Sequence, residues 1–381
     1  MGACALIANT TGSCNHGLGT FSLLANTEGH SNVGVGYQAI KTNTTGDLNV
    51  GLGHQALCKS TTASNNVAVG ACSLFSNTTA GNNIAVGQAA LYTNTTGNDL
   101  VAVGCGALYN NTTAADNIAI GYQSQYSTTT GHSNVSMGWQ SMVSNTTASC
   151  NTAIGFESLK SNTTGDRLTA VGYCALMSNS TGVNGTAMGW CALRANTTGT
   201  GNTAFGYSVL EDTTTGDQNT GVGYRMLEEN TTGTSNSALG GCALRLNTTG
   251  DSNTAMGVCA LGSNTTANNN TAIGQNALKV STTATDNVAV GFCAMRATTT
   301  GATNTSIGTN SMMENTTGCL NTVVGVAALQ CNTSGCQNIA MGGQAMRFNQ
   351  TGDNNTAIGR ETLYTNTTAD GSTAIGYRAL L

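Results

Sequence analysis

Large apolar, small and polar residues recur along this chain with a period of 17. We number each period so that Thr152 is position 1 and Gly155 is position 4. Position 3 is then always large and apolar, as in Ile120, Met137, Ile154, Val171 and Met188. Position 1 is Val, Ile or Thr apart from His16 and Ser237, and position 8 is Leu or Met apart from Ile40 and Gln125. Position 4 is Gly in 22 successive periods, from Gly19 to Gly376, with no insertion or deletion, and Gly2 extends the series backwards. A stacked architecture needs such a count, because one extra residue in a coil misaligns every column.

Positions 1 and 3 share one face of a short strand by the period-2 rule, and β-branched residues suit a pleated surface. No 3.6-residue stripe persists, and a Gly in every period would destabilise a helix. Positions 11 to 14 read mostly Asn-Thr-Thr-Gly or Asn-Thr-Thr-Ala, the chemistry of a corner. Position 17 is mostly Asn, which can bond coil to coil as a ladder. The pattern predicts an all-β fold: a β-solenoid or β-roll of about 22 coils. Each coil is expected to hold two short strands, near positions 17–5 and 6–10, stacked in parallel. At about 4.8 Å per coil the rod would be roughly 105 Å long. One array then covers residues 1–381: a partial coil (1–15), full coils (16–372) and a second partial coil (373–381). Both ends fall mid-coil, so the rod is expected to continue, in further sequence or by end-to-end stacking.

Position 2 is Ala, Gly or Ser in every coil but one, Val323 being the exception. It lies on the face opposite positions 1 and 3. Two readings are open: close approach by another subunit, which is favoured, or a tight bend within one chain.

Composition narrows the function classes. Charged residues are 8% of the chain, against about 25% in ordinary soluble domains. The net charge is -5 and no basic stripe exists, so nucleic acid has no electrostatic support as a partner. No run of about 18 apolar residues would span a membrane, and the start lacks the basic region of a secretory signal.

Candidate chemistry is sparse. Position 5 carries an aromatic stripe, Tyr122, Trp139, Phe156, Tyr173, Trp190, Tyr207 and Tyr224. It reads either as structural stacking or as a glycan-contact surface. Three cysteine pairs occupy adjacent coils in the same phase: Cys174 with Cys191, Cys242 with Cys259, and Cys319 with Cys336. The coil spacing lies inside the disulfide window, although a small polarisable residue also fits a half-buried slot. Asn-x-Ser/Thr sequons at position 11 (Asn43, Asn77, Asn94, Asn111, Asn145, Asn162, Asn179, Asn196) either carry N-linked glycans or arise from turn composition. Acidic residues favour position 15 and basic residues position 9, read as solubility and edge protection. No metal site, cofactor site or catalytic constellation is expected. Thr at positions 12 and 13 raises an ice-binding surface as a distant alternative.

The segments at 151–159, 270–278 and 355–363 resemble the S/T-x-A-I-G-x-x-A/S repeat of trimeric autotransporter adhesin heads. They are more similar to the 17-residue NTAIGxxALxxNTTG-type arrays of phage tail fibres and large bacterial surface proteins. The resemblance implies a β-solenoid shaft, often trimeric, in an extracellular fibre on a virion or cell surface. The expected function is a structural, non-catalytic fibre, tail fibre, filament or adhesin shaft. Its expected partners are copies of itself, side by side or end to end, and surface glycans. A glycan-binding module using the aromatic stripe is the alternative.

Overall fold

The computed structural model describes residues 2–381. The chain forms two compact units, Met1–Trp190 and Cys191–Leu381. Each is a parallel β-solenoid with one coil per 17 residues. Among the described residues the first unit holds eleven strands, β1 (His16–Leu18) to β11 (Thr186–Met188). The second holds eleven more, β12 (Thr203–Phe205) to β22 (Thr373–Ile375). Neighbouring strands pair residue for residue, Thr152 with Thr169 and Thr271 with Val288, so each column of the sequence becomes a physical column. The all-β solenoid and its 17-residue coil are as the sequence predicts.

Each coil has one strand rather than two. It covers only positions 1–3, except in β13 (Thr220–Tyr224) and β14 (Ser237–Gly241), which run on to position 5. The expected second strand, positions 6–10, is a run of turns. Its residues at 6 and 8 are left-handed, as in Glu157 (φ 52°) and Leu159 (φ 50°), and such residues cannot join a pleat. The same chain still bonds coil to coil: Leu159 N–H donates to Ala175 O at 3.0 Å and Ser161 N–H to Met177 O at 2.9 Å.

The small column faces inward. Position 2 is buried in every coil from Gly34 onward, whereas positions 1 and 3 are half-buried or exposed. This reverses the expectation that the small face awaits another chain. Position 8 of the preceding coil supplies the reason. A Cβ on Gly51 would come within 2.7 Å of Ile40 Cγ1, so the large residue at 8 leaves room only for a small one at 2. The core is this pairing repeated, with Leu57, Leu74, Leu91 and Leu108 packed among Ala56, Ala68, Ala85 and Ala102. Position 7, mostly Ala or Ser, closes it.

Position 4 is glycine for two reasons that coincide. Its φ lies between 118° and 148°, a region open essentially to Gly alone. The backbone of the next coil also passes directly beneath: a Cβ on Gly155 would lie 2.3 Å from Gly172 O. Gly155→Ala should therefore cost at least about 3 kcal/mol, read as a lowered urea midpoint. Gly343→Ala, where a Cβ meets nothing within 4 Å, should stay within about 0.5 kcal/mol. Equal midpoints for the two variants would refute this account of position 4.

Candidate functional surfaces

Two asparagine ladders run through the interior of the units. At position 17, Asn49 Nδ2 donates to Asn32 Oδ1 (3.1 Å) and to Ala63 O (2.7 Å), and the Asn49 backbone N–H donates to the same Asn32 Oδ1 at 2.9 Å. At position 11, Asn43 Nδ2 donates to Asn26 Oδ1 (2.7 Å) and to Gly46 O (2.8 Å). The ladder at 17 was expected; the one at 11 overturns the reading of its sequons. Asn43, Asn77, Asn94, Asn111, Asn145, Asn162, Asn179 and Asn196 are all buried. An amide enclosed in the core is closed to glycosylation in the folded chain.

The ladder at 11 is interrupted between an Asn and a Ser or Thr that follows it one coil later. Asn43, Asn111 and Asn264 precede Ser60, Thr128 and Ser281, and the Oδ1 of each is left without a donor. The Ser60 and Ser281 hydroxyls also lack partners. The hydroxyl does not reach back to the preceding Asn Oδ1, although Thr128 and Thr298 Oγ1 still accept from Asn145 and Asn315 Nδ2 at 3.2 and 3.4 Å. In the coil of Thr128 the core is polar as well: Gln125 Nε2 donates to Ile118 O and Ser136 Oγ, each at 3.0 Å, and Ser124 bonds Ser136.

The corner converges on one carbonyl per coil. The backbone N–H groups of Thr27, Glu28 and Gly29, and the Thr27 hydroxyl, all donate to Thr44 O at 3.0–3.1 Å. Successive N–H groups pointing at one acceptor form a nest. Position 12 hydroxyls are thus committed to backbone, and only the Thr at position 13 points to solvent, as Thr164 and Thr300 do. One free hydroxyl column does not make the two-column array that ice recognition needs.

Position 15 is an acceptor column rather than a solubility device. Asp166, Asp217 and Asp251 each take the backbone N–H of position 15 in the preceding coil at 2.7 Å. Ser64 Oγ does the same for Asp47. Basic residues at 9 pair locally, Lys160 with Glu157 (2.6 Å) and Arg194 with Glu211 (2.9 Å). Such exposed pairs contribute little to stability.

Cysteines fill the same slots. Cys336 Sγ accepts the Cys319 N–H at 3.1 Å, and the two Sγ atoms are 2.9 Å apart. Both are free cysteines, with no bond between the sulfurs. Cys242 and Cys259 are half-buried thiols in adjacent coils. Cys174 and Cys191 are buried and belong to different units.

The aromatic stripe at position 5 is a stack. Trp139, Phe156 and Tyr173 lie 5.0 and 5.2 Å apart with planes within 6°. Tyr122 and Trp190 extend it, and Tyr207 stacks on Tyr224 at 5.5 Å. Faces that stack on neighbours are covered, so mainly ring edges reach solvent, whereas a sugar packs on an open face. Sequence reading missed a second stack at position 9, Phe75, Tyr92, Tyr109 and Tyr126, at 5.0–5.1 Å. Its signal was four aromatic residues at 17-residue spacing, obscured by the basic residues elsewhere in that column.

Two hollows accompany these columns. A cavity of about 370 Å³ lies beside Leu6, His16, Leu18 and Val35, and a groove of about 210 Å³ lies beside Val222, Leu239 and Met256. Among the described residues, no three His, Cys, Asp or Glu side chains converge as metal ligands would. No protein-family model matches the chain, and no curated protein is similar to it in sequence.

Two measurements test the columns. Ser281→Asn should rejoin the ladder at Asn264 and raise stability by about 1 kcal/mol. An unchanged or lowered urea midpoint would count against the ladder. The Cys319 thiol is pushed up to about 11, first by its hydrogen bond to Cys336, then by desolvation and the nearby negative charge. The thiolate is the nucleophile, so at pH 9 Cys319 should alkylate more slowly than a cysteine in a short peptide. That lag should close as pH passes about 11. Mass-spectrometric labelling that shows no lag at pH 9 would contradict the pairing.

Proposed function

We propose that this chain is a structural protein, the shaft-forming part of an extracellular fibre or filament, such as a phage or virus tail fibre or a microbial surface adhesin. The observation that carries the reading is repetition at the level of bonds. The residues that do work in one coil do the same work in the next: Gly at 4, Leu at 8, Asn at 11 and 17, an acceptor at 15. A catalytic or small-ligand protein concentrates its distinctive residues at one place. Here the distinctive residues are spread evenly, and their partners are the neighbouring coils. The chain's role is then mechanical, providing reach, stiffness and display. Its work needs no cofactor and no chemistry.

Low charge and absence of Pro suit that role, since every coil must present the same backbone to the next. Electron micrographs of the purified full chain should show narrow particles of constant width that resist protease. Compact globular particles, or a small molecule that raises the melting temperature by several degrees, would overturn the proposal. Glycan arrays should show no binding that depends on position 5. Binding lost in a Trp139→Ala/Trp190→Ala double variant would favour a recognition module instead.

A further inference from the structure

The most regular apolar column of the sequence is on the outside. Position 3 is large and apolar in all 22 strands, yet Ile154, Phe205, Ile273 and Ile358 are each 37–38% exposed. Position 1 lies beside it on the same face. In β13 the strand continues outward-facing to Tyr224, so position 5 belongs to this face too. Across positions 1, 3 and 5 the only charged side chain is Arg360, with His16 and His54 the only other titratable groups apart from tyrosines and Cys105. Scattered exposed apolar residues are ordinary, but a continuous apolar patch of more than a few hundred Å² marks an interaction surface.

The faces of the two units are together large enough to bind. Three strand residues span about 10 Å and eleven coils about 50 Å, on the order of 500 Å² per unit. Summed over both units that is about 1,000 Å², above the roughly 800 Å² each partner contributes to a standard stable interface. Its occupant must also make the same contact at every coil, so it must repeat at the coil spacing of about 4.8 Å. Another copy of this chain has that spacing by construction. Sheets pack face to face at about 10 Å through apolar side chains. A face one strand wide is covered completely by a single opposing face, and that pairing closes, leaving nothing to recruit a third copy.

The geometry points to a second copy of this chain as the occupant: the face formed by positions 1, 3 and 5, apolar along position 3 and almost free of charge, pairs with its counterpart in a face-to-face homodimer. The groove of about 210 Å³ beside Val222, Leu239 and Met256 lies on this face, where Ser237 replaces the larger residues of its column. It has room for an apolar side chain of the opposing copy. The small column at position 2, buried against position 8, takes no part.

The test uses the full chain. Light scattering after size exclusion should give twice the 38.4 kDa of one chain. Ile154→Lys/Ile273→Lys places one charge on the face of each unit and should halve that mass, with the circular dichroism unchanged because both side chains point outward. Thr164→Lys/Thr300→Lys, at the exposed corner, should leave the dimer intact. Both tryptophans of the chain, Trp139 and Trp190, sit on the face. Their acrylamide quenching should be low in the wild type and rise in the face variant, which gives a readout independent of mass. A monomeric wild type, a trimer, or a face variant of undiminished mass would each overturn the pairing. So would tryptophans as open to acrylamide in the wild type as in the variant, including where another class of partner, such as lipid vesicles, binds the face of a monomer.

Discussion

Everything in these units depends on how closely one coil lies on the next at position 4. The glycine carbonyl of each coil sits where a side chain of the preceding one would begin. With that approach fixed, the flanking backbone is brought into bonding range: Gly155 N–H reaches Met137 O at 2.8 Å, and Thr152 N–H reaches Leu168 O at 2.8 Å. The left-handed residues at 6, 8 and 16 follow from the same closure, since the chain must turn back within a 17-residue circuit. A non-glycine residue in that conformation is disfavoured by about 1–2 kcal/mol. At position 8 the burial of Leu, at about 2 kcal/mol, offsets it. Position 8 is therefore large for an energetic reason and left-handed for a geometric one.

The fold was legible in the sequence because the spacing of Gly155, Gly172 and Gly189 admits no other arrangement as regular. The direction of the faces was not. Alternation tells which residues share a side of a strand, but not which side is inside. Ile154 and Ala153 made an outward-facing Ala look anomalous, whereas the anomaly lies with the Ile. The deciding neighbour sits in the preceding coil at position 8, outside any window over which alternation is read. The second strand failed for a related reason: apolar residues at 8 mark burial, and burial is compatible with a run of turns.

The columns were legible as columns, but their chemistry depended on depth. Asn162 and Thr163 read alike as corner residues, yet one is enclosed and the other holds a backbone carbonyl at the rim. Asp166 read as a surface charge and is an acceptor for Ser149 N–H. This explains the mixture of Asp, Ser, Asn, His and Cys at position 15. The slot asks for a lone pair at a given height, and these side chains all offer one. Cys336 satisfies the same demand by accepting the Cys319 N–H, whereas Gly81, Ala115, Val183 and Ala302 leave the slot without a side-chain acceptor.

The asparagine ladders also have a direction. Every ladder bond at positions 11 and 17 has its donor on the later coil and its acceptor on the earlier one, as in Asn247 to Asn230 and Asn253 to Asn236. The amide dipoles of a column therefore add rather than cancel, and chains of aligned hydrogen bonds polarise one another. Each unit is a stack with a head and a tail: the ladder N–H of each amide points to its N-terminal end and the amide oxygen to its C-terminal end. The two ends of such a stack therefore present different chemistry to whatever meets them.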